Sequence, residues 1–189
     1  LLVTVDALRA DHLGAYGYRR HPTSPALDRL AARSTVFQRA YAQVSHSSYS
    51  ISSLMTSRYL YQEADLGLPL PEATLASALH AAGYHTAGFY TQGIFHTDGE
   101  RLAPYRDGGF GFDRRVHADT DAEDKTDEAL ATIDAIVAAG EPPSFLWVHY
   151  FDVHEPYRAT RFGERAVDRY DSEIRRVDAA LARLVRERS

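Results

Sequence analysis

Glu-Ala-Thr-Leu-Ala-Ser-Ala-Leu-His-Ala-Ala-Gly-Tyr-His-Thr-Ala-Gly-Phe-Tyr-Thr, residues 72–91, reads as a helix, a stop and a strand in direct succession. Alanine and leucine favour a helix over 72–82, Gly83 is a suitable left-handed cap, and 85–91 follows as a strand. The same unit recurs downstream, where a helix over 121–139 ends at Gly140 and precedes Ser-Phe-Leu-Trp-Val-His-Tyr-Phe, 144–151. Working outward, Leu-Leu-Val-Thr-Val-Asp, 1–6, is a buried strand with Asp6 at its end. Ser24 and Pro25 read as a cap and a first helical proline, with Leu27, Leu30 and Ala31 giving an apolar face up to Ala32. Val36 and Phe37 open a further extended segment. A last helix covers 164–187, with Val167, Ile174, Val177, Leu181 and Leu184 at helical spacing. Alternation of this kind predicts one α/β domain, a mostly parallel sheet with helices on both faces. Functional groups then belong at the carboxyl ends of the strands, where Asp6, the 44–50 turn and the 152–157 turn are expected.

Composition narrows the chemistry. The 189 residues are 44% hydrophobic and 25% charged, the balance of an ordinary globular domain, and no apolar run approaches membrane-spanning length. A net charge of −5 with no basic stripe argues against nucleic acid as a partner, because backbone binding needs clustered Lys and Arg. Lys125 is the only lysine. Without cysteine the chain has no disulfide, no thiolate-held zinc and no thiol nucleophile, so any nucleophile is an oxygen. The chain opens inside an apolar strand without Met, as an excised piece of a longer protein would.

The densest supply of such oxygens is Val-Ser-His-Ser-Ser-Tyr-Ser-Ile-Ser-Ser-Leu-Met-Thr-Ser-Arg, 44–58, a hydroxyl-rich turn running into a short helix. A serine hydroxyl is a weak nucleophile until a divalent cation lowers its pKa, and the same cation neutralises charge on an attacked ester. The following helix offers free amides and the positive end of its dipole to an anion. With the carboxylate of Asp6, the pattern suggests a metal-assisted ester hydrolase. Serine clusters also cap and solvate turns without any catalytic part, and that reading stands beside the first.

Val-Asp-Ala-Leu-Arg-Ala-Asp-His-Leu-Gly-Ala-Tyr-Gly-Tyr (5–18), Thr-Ser-Pro-Ala-Leu-Asp-Arg-Leu-Ala (23–31), Leu-Met-Thr-Ser-Arg (54–58), His-Tyr-Phe-Asp-Val-His-Glu-Pro-Tyr (149–157) and Tyr-Asp-Ser-Glu-Ile-Arg (170–175) follow one another in order. Together they resemble the sulfatase-like branch of the alkaline phosphatase superfamily. The resemblance implies an alkaline phosphatase/sulfatase-like fold, C-terminally truncated, with residues 1–189 as the N-terminal portion of one catalytic domain. It implies that Asp6 binds a divalent metal ion (Ca, Mg, Mn or Zn), although Ala7 stands where the family often has a second acid. Counting back from Leu54, the family's nucleophile position falls on Ser47, which would also ligate the metal. Sulfatases oxidise a Cys or Ser there to formylglycine, guided by a Pro or Ala two residues on and an Arg four residues on. Tyr49 and Ile51 occupy those places, so Ser47 acts unmodified if it acts as related phosphatases, phosphodiesterases and phosphoglycerol or phosphoethanolamine transferases do. His154 matches the histidine that contacts the transferred group or protonates the leaving oxygen, tasks suited to imidazole.

The activity so implied is metal-dependent hydrolysis of sulfate esters. Phosphoryl transfer by bare Ser47, or a degenerate binding member, are the alternatives. Substrates would be small-molecule, glycan or lipid sulfate or phosphate esters, and the setting periplasmic, extracellular or membrane-tethered. The family's Asp-His or Asp-Asn metal pair would lie beyond Ser189 in the missing C-terminal part of the same domain, leaving these residues inactive alone.

The remaining polar residues have blander expectations. His149 reads as a core histidine bonded to a neighbour, and Asp152 either bonds within its turn or supports His154. Arg9 and Asp11 form a structural ion pair or a cap behind the first strand, although Arg9 could also reach an anion. Thr56 and Arg58 pack a helix end, Asp119–Glu128 make a solvated, dipole-favourable helix start, and the aromatics of 89–112 are core anchors or pocket walls.

Overall fold

The computed structural model describes residues 1–117, 120–140 and 143–186. Among these residues four strands, β1 (Leu2–Val5), β2 (His85–Tyr90), β3 (Arg114–His117) and β4 (Ser144–Tyr150), form one sheet in the order β1-β4-β2-β3. β2 runs parallel to both neighbours, Phe89 facing Val116 on β3 and Val148 on β4. Among the described residues, seven α-helices flank them: α1 (Pro25–Ala31), α2 (Ser47–Thr56), α3 (Leu60–Asp65), α4 (Leu75–Ala81), α5 (Ala103–Gly108), α6 (Ala122–Ala139) and α7 (Ala166–Arg186). The α/β class, the parallel strands and the flanking helices are those expected. The chain divides into two compact units, and β1, α6 and β4 each contribute to both.

The first unit takes Leu1–Leu2, the chain from Tyr41 to the end of β3, and Ile133–Val148. Its core is aromatic. Trp147 on β4 is fully buried, stacks on Tyr90 at 4.8 Å and meets Phe110 and Phe112 at 6.0 Å each. Phe95 and Tyr105 close around Phe110, so the 89–112 aromatics are core anchors. Gly88 is required where the strand meets this cluster, because a Cβ there would lie 2.9 Å from the Phe112 ring. α4 is shorter than the 72–82 expectation because Thr74 caps it in a reciprocal capping box with Ser77. Gly83 and Gly140 adopt the left-handed cap conformation at φ 86° and 62°.

The second unit takes Val3–Ala40, Thr120–Thr132 and the chain from His149 onward. α7 buries Ile174, Val177 and Leu184 as its spacing predicts, but Asp168, Asp171, Glu173 and Asp178 are buried too. Each acid holds a piece of loop or a helix end. Asp171 takes hydrogen bonds from His12 and from the Tyr18 hydroxyl, Glu173 from the amides of Arg158 and Ala159, and Asp168 from Arg20 and Arg165.

Three expectations are corrected. Ser24 occupies the N-cap position of α1 but does not cap it; its hydroxyl accepts from the Gly14 amide and donates to Asp28. The amides of Ala26 and Leu27 instead bond to buried Asp178, because a charged acceptor on α7 outcompetes a local hydroxyl. Val36 and Phe37 form no strand, and Phe37 is 70% exposed. The 44–50 turn therefore follows coil rather than a strand end, whereas Asp6 and the 152–157 turn do follow β1 and β4.

Candidate functional site

In the second unit, the end of β1 places Asp6 in a turn whose next residue, Ala7, has φ 52°. That left-handed geometry is unusual for alanine. Tyr170 from α7 holds it, donating its hydroxyl to the Ala7 carbonyl at 2.7 Å and accepting the Arg9 amide at 2.9 Å. Beside it, Arg9 and Asp11 make an exposed bidentate pair, at 2.9 and 2.6 Å, which settles their role as an ion pair.

His149, in β4, is 1% exposed and lies between Thr4 of β1 and Asp6 just beyond it. Its Nδ1 is 2.7 Å from the Thr4 hydroxyl, and its Nε2 is 3.4 Å from an Asp6 carboxylate oxygen. Burial lowers the imidazole pKa against the opposing pull of Asp6, so the ring is neutral near pH 7. The tautomer that suits both neighbours carries its proton on Nε2, facing Asp6. This is the bonded core histidine expected, and its neighbour is the strand-end carboxylate.

Sequence reading missed Lys125. The only lysine sits in what looked like a solvated acidic helix start, yet it is 3% exposed and donates to the His149 carbonyl at 3.1 Å. Its signal was available, since a lone lysine four residues into an amphipathic helix falls on the face that Ala122 and Ala129 bury. The rest of that start behaves as expected: Asp121 accepts the amides of Glu123 and Asp124. Asp119 lies outside the described residues. Asp152 reaches the start of α6. Its carboxylate accepts the Ala122 amide at 2.8 Å, and burial raises its pKa.

His154 is exposed and stacks on Phe151 at 4.6 Å. Its Nδ1 donates to the Glu155 carbonyl at 2.8 Å, so in the neutral ring Nε2 is the basic nitrogen. An exposed imidazole with a fixed tautomer can accept or deliver a proton at Nε2.

In the first unit, Ser47 is the first residue of α2 and half-buried, with His46 as the N-cap residue. The serine cluster separates by environment. Ser45 is exposed, Ser48, Ser52 and Ser53 are buried, and Ser48 accepts the Thr97 amide at 3.0 Å. Tyr49 and Ile51, at the two positions where the formylglycine signal would lie, are core residues at 3% and 7% exposure. Thr56 bonds back to the Ser52 carbonyl and Arg58 pairs with Glu63, which are helix-end roles.

A carboxylate and a neutral imidazole are suitable donors for a divalent cation. Among the described residues, however, no group of three or more His, Asp or Glu side chains could hold a metal ion. The described residues thus do not complete such a site.

No curated protein sequence matches the chain significantly. Solved structures with the same fold do. The lipoteichoic acid synthase LtaP from Listeria monocytogenes superposes with a TM-score of 0.72 at 14% identity, over 98% of this chain and 51% of that one. Ps i-CgsB, also solved with k-i-k-neocarrahexaose, gives 0.73 at 20% identity over 97% and 53%. The phosphonate monoester hydrolase of Agrobacterium radiobacter gives 0.64 at 18% identity over 97% and 57%. The chain therefore spans about half the length of these proteins, and at such identities the likeness establishes the fold. The sequence model described as Sulfatase matches residues 1–187. The chain belongs to the sulfatase family.

Proposed function

We propose that this chain is the N-terminal portion of a sulfatase-like catalytic domain that hydrolyses sulfate esters, with Ser47 as nucleophile. The family match over residues 1–187 carries the reading. Ser47 opens a ten-residue helix, so the first amides and the dipole of α2 favour negative charge where an ester oxyanion would lie. His154 is the proposed contact for the transferred group or acid for the leaving oxygen, through Nε2. Asp6 and Ser47 are the proposed ligands of a divalent cation whose other donors the described residues do not group together. Neutral His149 would then act on Asp6 as a support, fixing its carboxylate rather than competing for charge.

A second reading is favoured by one observation. Tyr49 and Ile51 are locked in the core where a formylglycine signal needs other residues, which supports an unmodified serine and phosphoryl transfer or phosphodiester cleavage. The substrate class is the same in outline, a small-molecule, glycan or lipid ester. Export or membrane tethering belongs to the proposal; among the described residues no helix is long and apolar enough to cross a membrane.

The test is turnover of matched aryl sulfate and aryl phosphate esters by the full-length protein with added divalent metals, beside Ser47→Ala. Sulfate turnover lost in the variant supports the first reading, and phosphate turnover lost in it supports the second. Turnover that survives Ser47→Ala refutes both.

A further inference from the structure

The two residues that follow Ser47 are tied to one short segment. Ser48 accepts the Thr97 amide at 3.0 Å, and the Tyr49 hydroxyl donates to the Asp98 carboxylate at 2.5 Å. His46, on the other side, packs edge-to-face on Tyr49 at 5.5 Å and on Tyr61 of α3 at 5.8 Å, while Tyr49 and Tyr61 meet at 5.4 Å. The three rings meet one another pairwise and so pack the start of α2 against α3.

Packing alone does not explain the hydroxyl. A phenylalanine would fill the ring's place at position 49, and burying a phenol requires a partner. That partner, Asp98, has φ 54°, a conformation that L residues other than glycine adopt at a cost and keep only where their surroundings fix them. The Asp98 carbonyl is engaged as well, accepting the Leu102 amide at 3.1 Å. The strained residue is thus held from both its side chain and its backbone, and it faces the first turn of α2.

We propose that Tyr49 and Asp98 are positioning residues that fix the first turn of α2 and, through it, the direction of the Ser47 hydroxyl. The proposal rests on Ser47 being the nucleophile. It gives a physical reason for the residue at position 49: the side chain that breaks the formylglycine signal is the one that reaches Asp98. Attack on an ester depends steeply on alignment, so a small rotation of the first turn lowers the chemical step while leaving substrate binding nearly intact.

The experiment compares wild type, Ser47→Ala, Tyr49→Phe, Asp98→Ala and Asp98→Asn in the full-length protein, using the aryl ester that the wild type turns over. Tyr49→Phe and Asp98→Ala are expected to lower kcat about tenfold or more, with KM within about twofold of wild type. Asp98→Asn is expected to restore most of kcat, because its amide oxygen still accepts the tyrosine proton. Losses that follow the melting temperature and are not rescued by Asp98→Asn would overturn the positioning role. So would a kcat for Tyr49→Phe and Asp98→Ala equal to wild type while Ser47→Ala is dead. Full activity in Ser47→Ala would instead remove the nucleophile assignment, and the proposal with it.

Discussion

Replacing Asp178 by alanine removes the group that caps α1 from another helix. The carboxylate is fully buried and accepts the Ala26 amide at 3.0 Å, the Leu27 amide at 2.8 Å and an Arg175 guanidinium N–H at 3.1 Å. Loss of a helix cap costs about 1 kcal/mol and up to about 2. Each buried donor left without an acceptor adds about 1–3 kcal/mol, less where water reaches it. Against this, burial raises the pKa of Asp178, so keeping its charge inside already costs stability that the alanine variant recovers. The balance is a destabilisation of about 2–4 kcal/mol. Ser24→Ala, which removes the serine in the formal cap position, loses only its bonds to Gly14 and Asp28 and should cost about 1 kcal/mol. Asp178→Asn keeps an oxygen for the two amides and should fall between. Urea unfolding of the three variants, with slopes equal to wild type, measures the difference. A smaller loss for Asp178→Ala than for Ser24→Ala would refute the assignment of the cap.

Three further outcomes follow from the same reasoning. The hydrogen bond from Arg165 holds the Asp168 carboxyl down at about 2, so its stabilisation is complete above the ordinary value of 3.8 and is lost as pH falls toward about 2. The stability gap between wild type and Asp168→Asn should close over that window in acid titration, and a gap that persists below it would contradict the pairing. Tyr170→Phe removes the hydroxyl that serves both the Ala7 carbonyl and the Arg9 amide, and should cost about 1–2 kcal/mol in urea unfolding; a neutral result would mean that the turn after Asp6 holds itself. Gly88→Ala drives a methyl against the Phe112 and Tyr90 rings and should cost about 1–3 kcal/mol, seen as a lower melting temperature, whereas an unchanged value would show that the rings yield freely.

What was legible in the sequence was whatever is written in local periodicity and punctuation. The helix before Gly83 and the strand after it, and their counterparts around Gly140, could be read because cap, apolar face and strand are contiguous. α3, α5 and β3 were missed: α3 and α5 have six residues each and β3 has four, too few for a period to emerge. The α1 cap was misread because its acceptor lies on α7, far away in sequence, and no local pattern announces such a partner. The buried acids of α7 escaped for the same reason. Among candidate site residues, the strand-end position of Asp6 and the bonded state of His149 were readable from the strands. The burial of Lys125 had a signal in its helical spacing, whereas its bond to the His149 carbonyl and the Tyr49–Asp98 bond had none, since each depends on residues brought together only by the fold.

The most direct test of the account is to trap the covalent intermediate. The full-length protein is mixed with the aryl ester it turns over, quenched in acid during the burst, digested and analysed by mass spectrometry. The account predicts a sulfo or phospho group on Ser47, absent from Ser47→Ala. An adduct on any other residue, or burst kinetics unchanged in Ser47→Ala, would contradict it.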